Sequence, residues 1–88
     1  MAADSGWMSE RLVHIMSLVR GAKSDPQNAE IAESALATFI ADVARFDFPN
    51  RVEVRTALDQ AATAFEAGEV TLAVNRLSKA LVSVSRTP

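Results

Sequence analysis

An all-α fold, a compact antiparallel four-helix array built from two helical hairpins, is predicted by three features of this sequence. The first is composition. Alanine fills 16 of the 88 positions, aromatic residues only 6%, and tyrosine is absent. Alanine loses no side-chain entropy on entering a helix, and the residues that favour strands are sparse. The second is periodicity, since apolar residues recur at three- and four-residue steps in four stretches set apart by glycine, proline or Asx turns. The third is the brevity of the connections, Gly21 to Ser24, Asp47 to Pro49 and Gly68 to Glu69. Connections of that length reverse the chain and make consecutive helices antiparallel.

The first helix is expected from about Ser9 to Arg20, with Leu12, Ile15, Met16 and Val19 on one face. Ser9 is a candidate cap, Glu10 suits the positive end of the helix dipole, and Gly21 is a plausible left-handed stop. The second runs from Pro26 to Phe46. Asp25 is placed to cap it, and proline at the first helical position loses no hydrogen bond. Ala29, Ala32, Leu36, Phe39, Val43 and Phe46 form its apolar stripe, widened by Ile31 and Ile40. The chain then turns at Asp47-Phe48-Pro49, because proline disfavours α geometry in the residue before it.

The third helix spans 51–67. Asn50 and Glu53 have the spacing of a capping box, and Phe48 or Pro49 can staple against Val54. Val54, Leu58, Ala61, Ala62 and Phe65 make the buried stripe, and Gly68 closes the helix. The fourth spans 70–84, with Val70, Ala73, Val74, Leu77, Ala80, Leu81 and Val84 inward. Leu72 and Val82 fall off that stripe, so more than half of the circumference is apolar, as in a helix that packs against several neighbours or another chain. Residues 1–8 and 86–88 are expected as loose ends of a single domain.

Several functions are disfavoured by composition. Nine basic against eleven acidic residues give a net charge of −2, which lacks the cationic footprint of non-specific nucleic-acid binding. The chain has no cysteine, which removes disulfides and thiolate metal sites and suits a reducing, cytoplasmic setting. Asp4, Glu10 and Arg11 precede the first apolar stretch, unlike a secretory signal, and no run approaches the roughly 20 apolar residues of a membrane span.

Groups suited to chemistry are few. The single histidine, His14, lies beside the first helix's core stripe with no catalytic or metal partner placed near it. Glu30, Glu33 and Asp42 read as a solvated face of the second helix. No phosphate loop, serine elbow or zinc spacing occurs, so neither a cofactor nor a metal is expected and enzyme activity is not expected. Trp7 and Met8 either fold back onto the core or anchor a partner, and Phe48 carries the same ambiguity.

Two resemblances fall on the C-terminal third. The run Ala64-Phe65-Glu66-Ala67-Gly68-Glu69, followed by Ala73 and Lys79-Ala80-Leu81, resembles a tetratricopeptide helical hairpin across residues 56–85. That resemblance implies Gly68 at the turn and Ala73, Ala80 and Leu81 where the two helices touch. One such repeat cannot bury its own faces, so the first two helices must cover it. The same stretch, 60–80, resembles a helix-turn-helix signature through Ala64, Gly68 and Val74. It implies a recognition helix starting near Ala73-Val74-Asn75-Arg76, with Arg76, Lys79 and Arg86 as nucleic-acid contacts. That motif also requires a short helix before Gly68.

The expected function is a small non-catalytic interaction module that binds a partner protein or its own copy, for instance as a homodimer. Trp7, Met8, Leu72 and Val82 are the expected interface residues, with Phe48 beside them. A DNA-associated regulator using Arg76 and Lys79 is the alternative.

Overall fold

Four helices account for nearly all of the chain in a computed structural model that describes residues 5–48 and 50–85. They are α1 (Ser5–Ala22), α2 (Pro26–Ala44), α3 (Arg51–Glu66) and α4 (Val70–Ser85). The all-α array expected from alanine content and periodicity is the observed fold. The Cα radius of gyration, 12.1 Å, matches the roughly 12 Å of a compact chain of this length.

Packing follows a closed ring. The α3–α4 interface is the most extensive, followed by α4–α1 and α1–α2, with α2–α3 the slightest; the diagonal pairs barely meet. Sequential antiparallel helices therefore enclose one core, and α1 closes against α4. Phe39, Met8, Leu12, Ile15, Leu58 and Leu77 are its largest fully buried side chains. Among the described residues no buried side-chain nitrogen or oxygen lacks a hydrogen-bond partner, so the interior is both apolar and polar-satisfied.

The N-terminus departs from expectation. α1 begins at Ser5, so Ser9 lies within the helix and caps nothing, and residues 5–8 are not loose. Met8 draws this segment in, because its side chain is completely buried in the core. It stands four residues before Leu12, one turn earlier on the same apolar face. Residues 1–4 and 86–88 lie outside the described residues.

Gly21 is also not the left-handed stop that its position suggested. It is helical, and its carbonyl accepts the N–H of Ser24 and of Asp25, each at 3.3 Å, and the Asn28 side-chain amide at 3.4 Å. A Cβ at this position would stand 3.3 Å from Asn28 Nδ2. Glycine here permits a close approach between the end of α1 and the start of α2. The start of α2 itself agrees with the sequence: the Asp25 carboxylate accepts the Gln27 N–H at 3.0 Å, with Pro26 opening the helix.

Gly68 is the one residue with positive φ, +81°, among the described residues. The Gly68 N–H donates to the Phe65 carbonyl at 3.0 Å and the Glu69 N–H to the Ala64 carbonyl at 2.9 Å. These two bonds are the Schellman pair that satisfies the last carbonyls of a helix, and the left-handed residue they require is cheapest as glycine.

Asn50 does not form the expected capping box. Its side chain makes no cap bond to α3 and instead donates to the Ser83 carbonyl at 2.8 Å. Ser83 lies in the last turn of α4, where carbonyls run short of donors from their own helix. The Ser83 hydroxyl in turn donates to the Glu53 carboxylate at 3.5 Å. Residues chosen by spacing for a local cap therefore tie the start of α3 to the end of α4.

Two stability predictions follow from these hairpin ends. Asn50→Ala and Asn50→Ser are each expected to lower the unfolding free energy by about 1 kcal/mol in urea titrations, because serine is too short to reach Ser83. A local cap would instead be kept by serine. Gly68→Ala is expected to cost about 1–2 kcal/mol, with Gly68→Asn costing less, since asparagine visits the left-handed region more readily.

Candidate functional site

α4 carries the surface that stands out. Its inner face, with Ala73, Leu77, Ala80 and Val84 buried, packs against both α3 and α1. Its outer side presents Leu72, Asn75, Lys79 and Val82, all exposed and spaced three, four and three residues apart. Such spacing keeps them on one side of a helix. Leu72 keeps 37% of its surface exposed and Val82 51%, so both remain where the off-stripe positions predicted. Arg76 stands beside this stripe and is half-buried. Within Val70–Ser85 there is no acidic residue, although Asp59 of α3 and Glu69 border the hollow that holds Leu72 and Arg76; no acid lines the hollow at the Lys79–Val82 end.

The other expected interface residues turn inward. Met8 is fully buried, and Phe48 retains only 8% exposure. Trp7 is half-buried and packs its ring against two aromatics, 5.7 Å from Phe46 in an edge-to-face arrangement and 5.9 Å from Phe39. The Arg11 guanidinium lies 6.0 Å from the Trp7 ring centroid, at the limit of a cation–π contact. Trp7 thus packs one side of its ring against the core beside Phe39 and Phe46 while part of its surface stays in water. The reason is common to all three residues. A thin core gains more from large side chains than from small ones, and the ends of α1 and α2 bring these within reach.

Periodicity missed exposed aliphatics on the other helices. Val13, Ile31 and Val52 keep 56%, 54% and 72% of their surface exposed. Ile31 had been placed at the edge of the α2 stripe. It sits five residues before Leu36, about 140° away on the helix, and that angle was the available signal.

Surface hollows differ in character. Along α4 two open depressions involve Leu72, one of them shared with Asp59, Gln60 and Thr63 of α3. A smaller and more enclosed groove of about 120 Å³ runs between α2 and α3, where Leu36, Ile40, Ala62 and Phe65 form the floor and Glu33 and Glu66 the rims. Its volume falls below the roughly 300 Å³ at which small-molecule pockets begin, so it fits one or two aliphatic side chains.

His14 is exposed, and no three of the described His, Cys, Asp or Glu residues are grouped to hold a metal ion. Among the described residues no helix is long and apolar enough to cross a membrane. The helix before Gly68, α3, is continuous over 16 residues, longer than a helix-turn-helix motif wants there. Arg86, one of the three nucleic-acid candidates, lies outside the described residues; Lys79 is exposed.

The fold and this surface define a small four-helix bundle with one helix apolar on both sides. Comparisons with protein-family models, curated proteins and solved structures gave no match.

Burial separates core residues from surface ones in a measurable way. Met8→Ala is expected to cost about 2–5 kcal/mol, the range for a buried methionine, with the thermal midpoint by circular dichroism as the readout. Trp7 is the sole tryptophan, so its emission should shift to the red in the same transition.

Proposed function

We propose that this protein is a small non-catalytic protein–protein interaction module that works through the exposed apolar surface of α4. The observation that carries the reading is the pair Leu72 and Val82. They remain in water on a helix whose opposite face already packs against two neighbours. Full burial of such a side chain contributes about 1.5–3 kcal/mol; the monomer supplies part of it, and a partner surface can supply the rest. The isolated chain also stands to gain, since a domain of this size buries only about 60–65% of its unfolded surface.

The likeness of residues 56–85 to a tetratricopeptide hairpin points the same way, because it marks α3–α4 as a helical pair suited to an interaction role. Here that hairpin is covered by α1 and α2 in a closed ring rather than by further repeats. A cysteine-free chain suits the cytoplasm as its working place.

The test pairs two measurements on the double variant Leu72→Ser, Val82→Ser. Its unfolding free energy should stay within about 1 kcal/mol of the parent, as for exposed positions. Its mass in solution should fall to that of the monomer, or its capture of a partner from the native cell extract should disappear. An interface elsewhere is indicated if association and capture both survive the double substitution.

A further inference from the structure

The bundle carries two unpartnered surfaces of opposite character. One is the outer side of α4, where Lys79 and Val82 lie side by side with no acid on the helix, and where Arg76, beside Leu72, shares a hollow with Asp59 and Glu69. The other is the α2–α3 groove, whose floor is Leu36, Ile40, Ala62 and Phe65 and whose two rims carry Glu33 and Glu66 with no basic residue. The groove exists because α2 and α3 make the slightest of the four helix contacts and leave Ile40 and Phe65 only half-buried. In the ring order, α4 borders α1 and α3 and barely meets α2 or lies diagonal to it, so its outer side and the α2–α3 groove face different directions. One chain can present both at once.

We propose that the occupant of the α2–α3 groove is the outer face of α4 from a second copy of this chain. This rests on the interaction reading above and deepens it by naming the partner. Val82, the more exposed aliphatic of the stripe, enters between the two rims. Lys79 and Arg76 meet the Glu33 and Glu66 carboxylates. Apolar insertion supplies the attraction, and the opposed charges set the register. Because the two surfaces are different patches, the contact is heterologous: it leaves a free groove on one copy and a free α4 face on the other. Copies join head to tail, giving a ring if the rotation closes and an open chain if it does not. The contact is small and partly ionic, so it is weak and weakens further as salt screens it.

Sedimentation of the full chain between about 10 μM and about 1 mM tests this, spanning the range in which weak contacts populate. The average mass should rise past that of a dimer with concentration and fall at high salt. Two charge-reversed chains, Arg76→Glu/Lys79→Glu and Glu33→Lys/Glu66→Lys, should each be monomeric alone, because each sets like charges against like. Mixed in equal amounts, they should associate again. Circular dichroism of each variant verifies that it is folded, as expected where none of the four side chains is fully buried. A wild-type chain that stays monomeric throughout overturns the second-copy contact. The interaction reading is then judged by its own double variant. A closed dimer that persists in Glu33→Lys/Glu66→Lys also overturns the proposal, since it would mean that two α4 faces meet each other.

Discussion

The close packing of α3 on α4 sets where the other two helices can go. Ala57, Ala61 and Ala64 on one helix and Ala73 and Ala80 on the other are all buried, and the two helices share the most extensive contact in the chain. Small side chains let helix backbones come near, which concentrates dispersion contacts that bulkier residues would hold apart. The hairpin is fastened at both ends. At one end Gly68 takes the left-handed conformation and completes the Schellman bonds; at the other, Asn50 reaches across to the Ser83 carbonyl. A rigid α3–α4 pair then offers α1 and α2 a surface to close upon.

That choice has a consequence for function. Alanine seams fasten helices closely but bury little apolar area per residue, so the core must recruit large side chains from the chain's margins. Met8 and Phe48 answer that need from within the core, and Trp7 packs against it while keeping part of its surface in water. The aliphatic side chains left in water are Leu72 and Val82 on the outer side of α4 and Val13, Ile31 and Val52 on the other helices. The contact between α2 and α3 is slight, and it leaves an apolar groove rimmed by Glu33 and Glu66. Opposite surfaces on one small domain thus arise from one uneven distribution of packing around the ring.

Much of this was readable from residues taken a few at a time. The four helices, the Asp25 cap with Pro26, the Gly68 reversal and the exposure of Leu72 and Val82 all depend on neighbours within about one turn. Where structure and spacing differ, the reason is tertiary. Asn50 had the spacing of a cap, yet a carbonyl on another helix was the better acceptor. Gly21 looked like a stop, yet it serves the approach of Asn28. Met8 lay upstream of the first recognised cap, yet the core extended to it. Ile31 was assigned to a stripe that the real direction of the core excludes.

Helix content, the points where the chain reverses and the off-stripe placement of Leu72 and Val82 are legible in the residues alone. Backbone propensity, capping and the 3.6-residue period are local, so their outcome is written in adjacent letters. The closing of the ring through α1 and α4, the recruitment of Met8 and Phe48 to the core with Trp7 packed against it, and the groove between α2 and α3 emerge only when the helices pack. Those outcomes depend on residues such as Asn50 and Ser83, 33 positions apart, whose meeting is arranged by how four helices share one interior.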